Sequence, residues 1–392
     1  MSTSAQPLRP TRTTALVHDF LLDVRGAERV FAELCRMWPH ADVFTAVYDE
    51  KGTEGRWAHR TINTTFLQRL RATSRSFRSL LPLYPFAIER LDLREYELVV
   101  SSSSAWAHGV LTEPGSVHVC YCHNPFRYAW NEREATLAAR SPLMRPALAG
   151  VFSRWRQWDW IAAQRVDLYV ANSEVTRQRI ATYFNRESVV VHPPVDVTRF
   201  AAGPGGEHYL VLSELMSHKR IDVAVEAFTR LGLPLVVVGD GPALPRLRRM
   251  AGPTISFTGR LGDREVTEMI EGCRALVVPG TEEFGIAAVE AMAAGRPVVG
   301  HDAGGLRETV VEGVTGTLFS PSDAAGLTAA VERLESMAID PADCRSRAEE
   351  FGIDRFEDRM RATVDTALEA ERVAGDPDAR PNRARGLGRP IL

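Results

Sequence analysis

Apolar and polar positions fall into two successive alternating patterns along the chain. From Tyr209 onward the runs YLVL, PLVVV, ISF, ALVVP and PVVG are short and unbroken, as strands buried on both faces are. Helical stretches stand between them: DVAVEAFTRL, ALPRLRRM, DREVTEMIEG and GIAAVEAMAA. Strands alternating with helices predict a parallel, doubly wound sheet, and such sheets place ligands at the carboxyl ends of their strands. The first half repeats this grammar, with TALVH, YELVVS, VHVCYC, DLYVANS and SVVVHP as strands and a longer helical insert over Phe66 to Leu93. FAAGPGGEH, from Phe200 to His208, reads as the linker between the halves because Gly and Pro cluster there. Beyond the second sheet, Phe356, Met360, Val364 and Leu368 recur every four residues and mark a closing helix. The expected organisation is an α/β domain over 13–200, a second over 208–352, a closing helix over 353–373, and a disordered tail over 374–392.

Composition narrows the class. With 392 residues, 45% hydrophobic and 25% charged, the chain has the make-up of a soluble globular protein of two or three domains. A net charge of -3 argues against a general nucleic-acid binder. The five cysteines are scattered and odd in number, which suits a reducing compartment rather than a disulfide framework. Cys120 and Cys122, two apart in an apolar run, share one face of a strand and read as core. The opening MSTSAQPLRPTRTT lacks the apolar stretch of a secretory signal, and no run approaches the roughly 20 apolar residues of a spanning helix. The protein is therefore expected in the cytoplasm or on the inner membrane surface.

The chemistry concentrates in PGTEEFGIAAVEAMAAGRPVV, Pro279 to Val299. A strand and loop lead into a helix that ends at Gly295 and carries Glu290 among Ala, Val, Ile and Met, with Glu282 just before its start. Charged side chains are rarely buried without a partner, so Glu290 points either to solvent or to a site that needs a carboxylate. The helix N-terminus, flanked by small residues, is an anion site suited to phosphate. Eight helical residues rise about 12 Å, whereas paired glycosidase carboxylates stand roughly 5 to 9.5 Å apart. The spacing fits a diphosphate-bridged molecule with a hydroxyl-bearing ring held at each end. Lys219, in LSELMSHKRIDVAVEAF, is one of two lysines in a chain whose other 45 basic residues are arginine. An ammonium is a compact point charge where guanidinium is a planar fork, so a lysine kept at a strand-to-helix loop suggests phosphate contact.

These segments resemble the family 4 glycosyltransferases, retaining enzymes of the GT-B fold. The most specific element is E-x7-E, Glu282 to Glu290; HKRIDVAVEAF, VVGDGP, FTGRL, AGGLRETVVEGVTG, ANSEVTRQRI and VHPPVD support it in order. VHDFLLDVRGAERV and CYCHNPFRYAWN resemble a narrower group, mannosyltransferases that build bacterial O-antigen and related polysaccharides. The resemblance implies two Rossmann-like domains facing across a cleft, with the C-terminal helix returning to the first. It also implies mannose transfer from GDP-mannose to a polysaccharide or lipid-linked glycan, without a metal or other cofactor. Glu282 would meet hydroxyls of the donor sugar and Glu290 the ribose. Phe284, Gly285, Ile286 and Ala287 would offer backbone N–H groups around the diphosphate, and Lys219 would neutralise the leaving group. Arg220 would stand beside the phosphates, and Arg260 and Leu261 near the base. His123 corresponds to the family histidine beside the donor sugar, the alternative being a buried strand-end histidine. Gly26 belongs to the first phosphate-approaching loop.

Two departures stand out. Glu214 occupies a place where the family usually has arginine beside the phosphates, with Arg220 as a candidate to compensate. Arg25-Gly26 replaces a glycine pair, so Arg25 either reaches phosphate or blocks it. The single D-x-D, Asp376-Pro377-Asp378, falls in the tail. Phe66 to Arg94 interleaves aromatics with Arg69, Arg71, Arg75, Arg78, Arg90 and Arg94, a pattern suited to an anionic membrane surface or to packing on its own domain. FSRWRQWDW, Phe152 to Trp160, has the same two readings. A nucleotide-sugar epimerase or phosphorylase, or a silent glycan-binding scaffold, are the competing functions.

Overall fold

Thirteen short strands organise the described residues, which in this computed structural model are 13–70, 73, 76–203 and 205–375. The first sheet contains β1 (Thr14–His18), β2 (Asp42–Thr45), β3 (Ile62–Thr64), β4 (Leu98–Ser103), β5 (Val117–Cys122), β6 (Leu168–Ala171) and β7 (Ser188–Val190), in the order β3-β2-β1-β4-β5-β6-β7. The second contains β8 (Tyr209–Leu212), β9 (Leu235–Val238), β10 (Ile255–Gly259), β11 (Ala275–Val278), β12 (Val298–His301) and β13 (Gly316–Phe319), in the order β10-β9-β8-β11-β12-β13. Both are parallel and doubly wound, and each reverses its strand order once, at β1/β4 and at β8/β11. Ligands of such sheets bind at this reversal, outside the carboxyl ends of the strands.

The chain divides into two compact units. Among the described residues, one takes in those up to Ala171, Arg177–Val189 and those from Arg359 to Gly375; the other takes in Asn172–Thr176 and those between Val190 and Asp358. The helix Ile353–Gly375 closes the described chain, with Phe356, Met360 and Val364 buried along it. Within the expected linker, Gly203 has open space around it, whereas Gly205 and Gly206 are closely approached. A side chain at Gly205 would strike Arg296, and one at Gly206 would strike the carbonyl of Gly272. Of the tail expected over 374–392, Ala374 and Gly375 belong to the closing helix, and 376–392, with the D-x-D, lie outside the described residues.

Strands β2, β3 and β13 add to those read from the sequence. The insert over Phe66 to Leu93 is not one helix but two 3-10 segments, Phe66–Leu70 and Phe77–Leu83, and a short α-helix, Tyr84–Ile88. Pro82 and Pro85 remove backbone donors that a continuous helix needs. All five cysteines are buried and unbridged.

Strand β4 changes character along its length. Leu98, Val99 and Val100 are followed by Ser101, Ser102 and Ser103, and all six are buried. Each hydroxyl has a partner: Ser101 Oγ lies 2.8 Å from His118 Nε2, Ser102 Oγ 2.9 Å from His123 Nε2, and Ser103 Oγ 3.4 Å from Asp19 Oδ1. Asp19, just past β1, also accepts four backbone N–H groups, from Ser104 to Ala107, at 2.6–3.0 Å. The carboxyl end of the first sheet is thus a polar cluster inside an apolar frame.

Burial pushes the His118 ring down to about 3, with a smaller contribution from His108. Between pH 6.5 and about 3 the unfolded chain takes up a proton here that the native state refuses, so stability falls as pH falls through that window. From pH 6.5 to pH 5 this one histidine is expected to cost about 2 kcal/mol. Urea unfolding of His118→Asn should show a pH slope shallower by about one proton. An unchanged slope would mean that His118 titrates alike in both states.

Candidate active site

At the reversal of the second sheet, the loop after β8 carries Lys219 and the loop after β11 carries Glu282. Lys219 closes a 3-10 turn, Ser217–Lys219. Its Nζ donates to both carboxylate oxygens of Glu282, at 2.8 and 2.6 Å, with both side chains about one-fifth exposed. Gly280 permits this approach, since a Cβ there would stand 2.7 Å from the Lys219 carbonyl oxygen. The Glu282 loop is held by its backbone as well. Gly305 N donates to Glu282 O at 2.9 Å, and Gly304 adopts φ +63 where a side chain would strike that same carbonyl. The AGGLRE segment therefore buttresses the carboxylate loop.

Four residues past Glu282 the helix Ile286–Ala293 begins, with Gly285 as N-cap at φ +95 and no side-chain cap. Phe284 is buried, Gly285, Ile286 and Ala287 are half-buried, and the helix is fully buried from Ala288 to Ala293. First-turn N–H groups have no intrahelical acceptor, which makes this end a place for anionic oxygens. Phe284 stacks on His192 with ring centres 5.3 Å apart, and His192 Nε2 lies 3.0 Å from Glu308 Oε2. Glu308 also accepts the backbone N–H of Glu174 at 2.8 Å. VHPPVD and GGLRETV, noticed in the sequence without individual roles, thus fasten the loop behind Phe284.

Glu290 is buried, and no counter-charge for it is evident from the sequence. Arg199 supplies one, with Nη1 3.6 Å from Glu290 Oε1. Arg199 is itself anchored, donating to Thr267 Oγ1 at 2.8 Å and to the Asp263 carbonyl at 2.9 Å. Only the rule that a buried charge has a counter-charge pointed to such a residue; nothing local marked Arg199 out.

Arg220 takes a left-handed conformation, φ 53, and donates to the Ser322 carbonyl at 3.0 Å while standing 3.8 Å from Asp222. Glu214 is exposed, as is Arg260 beyond β10, and Leu261 is half-buried. In the first unit, Gly26 is the first residue of the helix Gly26–Met37. Arg25 turns its guanidinium onto Asp23, with Nε and Nη2 both 3.2 Å from Oδ2. His123 follows β5 directly. Burial, reinforced by the neighbouring His18, pushes its ring down to about 3, so it stays neutral through ordinary pH. The geometry joins Lys219 to Glu282 and places Phe284 to Ala287 beside them in sequence, with Glu290 one helix further on; His123 and Gly26 belong to the polar end of the first sheet.

Known proteins carry the same two halves. Residues 24–199 match the model described as Glycosyltransferase Family 4, and residues 199–351 that of Glycosyl transferases group 1. A glycogen synthase of Mycobacterium tuberculosis is 35% identical over 179 residues, 41% of this chain and 42% of that protein. The chain therefore spans less than half the length of that relative. A GDP-mannose-dependent alpha-(1-6)-phosphatidylinositol monomannoside mannosyltransferase of Mycolicibacterium smegmatis is 28% identical over 298 residues, 64% of this chain and 77% of the relative. Among solved structures, Anabaena HepE in complex with UDP and glucose superposes with a TM-score of 0.66 at 16% identity, over 90% of this chain and all of HepE. Two parallel-sheet α/β units of this order define the GT-B class of architecture. The chain belongs to the group 1 and family 4 glycosyltransferases.

Proposed function

We propose that the protein is a retaining glycosyltransferase that moves mannose from GDP-mannose to a growing polysaccharide or lipid-linked glycan. The observation that carries the reading is the Lys219–Glu282 pair at the β8/β11 reversal, immediately ahead of an uncapped helix N-terminus. Without donor the two charges cancel. A nucleotide diphosphate competes for the ammonium, and Glu282 turns its acceptor oxygens to sugar hydroxyls. As the glycosidic bond breaks, charge grows on the diphosphate, where Lys219 and the N–H groups of Ile286 and Ala287 stabilise it. Glu290, oriented by Arg199, accepts from the ribose hydroxyls. Arg260 and Leu261 flank the base. The acceptor hydroxyl attacks from the face the leaving group vacates.

Mannose is favoured because the relative aligned over 298 residues is named for GDP-mannose, and O-antigen chain mannosyltransferase C of Escherichia coli also matches, at 26% identity over 179 residues. Hydrolysis and transfer with a panel of nucleotide sugars test the reading. GDP-mannose should turn over at least tenfold faster than UDP-glucose. A preference for a UDP-sugar would overturn the donor, free nucleotide with an altered sugar would indicate an epimerase, and silence towards every donor would leave a scaffold. Among the described residues no group of three His, Cys, Asp or Glu side chains could hold a metal ion. Turnover is expected to survive EDTA, and activity restored only by magnesium or manganese would contradict this chemistry.

The acceptor reading extends to a membrane surface. Among the described residues no helix is long and apolar enough to cross a membrane. Phe66, Leu70, Leu83 and Phe86 are exposed, whereas Phe77, Leu80 and Tyr84 pack inward. Arg90 stacks on Phe86 at 5.0 Å; Arg71 and Arg75 lie outside the described residues. Basic residues near an anionic surface contribute about 1 kcal/mol each. Replacing Arg69, Arg71, Arg75 and Arg78 with Gln should release the protein from anionic vesicles in flotation and leave donor hydrolysis unchanged. A variant that floats as the parent does would return this segment to a packing role.

A further inference from the structure

A chain of hydrogen-bonding groups runs back from His123 into the first unit. His123 Nε2 lies 2.9 Å from Ser102 Oγ, and Ser102 Oγ lies 3.1 Å from His18 Nδ1. The other nitrogen of His18, Nε2, faces Glu28 Oε1 at 3.6 Å, and the ring stacks on Phe31 with centres 4.7 Å apart. The second carboxylate oxygen, Glu28 Oε2, is taken by the backbone N–H of Arg25 at 3.0 Å. His18, Glu28 and Ser102 are all buried, with 1%, 6% and 0% exposure, so water does not rearrange the chain.

With a single proton on the His18 ring, the remaining proton positions follow by elimination. A carboxylate only accepts, so that proton sits on Nε2, facing Glu28, and the lone pair stays on Nδ1. Ser102 has one O–H, and it must donate that proton to His18 Nδ1. Its oxygen then accepts from His123, whose proton is therefore on Nε2 and whose lone pair is on Nδ1. The opposite order would aim a lone pair at a carboxylate.

We propose that Glu28, His18 and Ser102 are positioning residues that fix the tautomer of His123, so that its ring meets a sugar hydroxyl as a hydrogen-bond acceptor. This rests on the transferase reading for its sugar, but the tautomer itself does not. The depressed affinity of His123 for a proton fits a ring that stays neutral and keeps its acceptor. The signal in the sequence is faint: His18 and Glu28 share VHDFLLDVRGAERV, but Ser102 and His123 come from two other segments.

Nitrogen-15 NMR of the labelled full chain at pH 8, with His123 assigned from the spectrum of His123→Gln, reads the tautomer directly. The expected wild-type form is Nε2–H. Glu28→Gln should reverse the chain: its carbonyl stays with the Arg25 N–H, which leaves the amide NH2 donating to His18 Nε2. His18 then donates from Nδ1 to Ser102, Ser102 donates to His123 Nε2, and His123 becomes Nδ1–H. Donor turnover should fall about tenfold, the worth of one hydrogen bond to the reacting sugar. Ser102→Ala cuts the chain, so that adding Glu28→Gln to it should no longer move the His123 signal. An Nδ1–H wild type, or a tautomer indifferent to Glu28→Gln, overturns the proposal. A reversal without loss of turnover overturns the acceptor role of His123. A wild type that turns over no donor sinks the transferase reading and leaves the tautomer result standing.

Discussion

Lys219→Ala is expected to lower donor turnover by 10²- to 10³-fold, with the protein still folded. Its ammonium is the cation placed at the second sheet's reversal in contact with Glu282, at 2.6 Å. A preorganised donor to a developing negative charge is worth roughly 3 to 4 kcal/mol. The side chain is partly exposed and lies in a surface turn, so its loss removes little packing. Lys219→Arg should restore little. A guanidinium fork matches a carboxylate bidentately and would hold Glu282 more firmly than an ammonium does, which opposes release of that carboxylate to the sugar. Steady-state hydrolysis of GDP-mannose by the three proteins, with melting curves as the folding control, measures both effects. Full rescue by arginine would show that a positive charge of any shape suffices there.

Glu282→Ala should reduce transfer at least 10³-fold, again without unfolding. The loop that bears Glu282 is secured by its backbone through Gly305 and the bridge to Gly304, neither of which needs the carboxylate. Loss of activity would then report lost chemistry rather than a displaced loop. Glu282→Gln keeps an acceptor for sugar hydroxyls and should fall between alanine and wild type. Because Lys219 and Glu282 act as one unit, the double alanine variant should lose little beyond the worse single variant. Near wild-type turnover in Glu282→Ala would remove this residue from the site, and additive losses would separate the two roles.

The α/β grammar was legible because parallel strands buried on both faces are uninterrupted apolar runs, as in YLVL, PLVVV and ALVVP. Strands β2, β3 and β13 escaped it: they are three or four residues long, β3 and β13 lie at sheet edges, and INT carries no apolar run. The helical insert departs from one continuous helix because the apolar spacing of FRSLLPLYPFAI hides the effect of two prolines, which leave a 3-10 segment followed by a short α-helix.

At the site, the chain by itself determined which chemistries stand near which strand ends. A lysine at a strand-to-helix loop in a chain rich in arginine, two carboxylates eight residues apart, and a histidine closing an apolar strand were all visible without coordinates. Only the tertiary structure decided their partners. Lys219 meets Glu282 across 63 positions, and Ser102 meets His18 across 84. Arg199 finds Glu290 from outside every motif the chain displays. A side chain's type sets what it can donate, accept or neutralise, and its spacing sets the face it shares with near neighbours. Its distant counter-charge is set by strand order and register, because these bring the carboxyl ends of separate strands together.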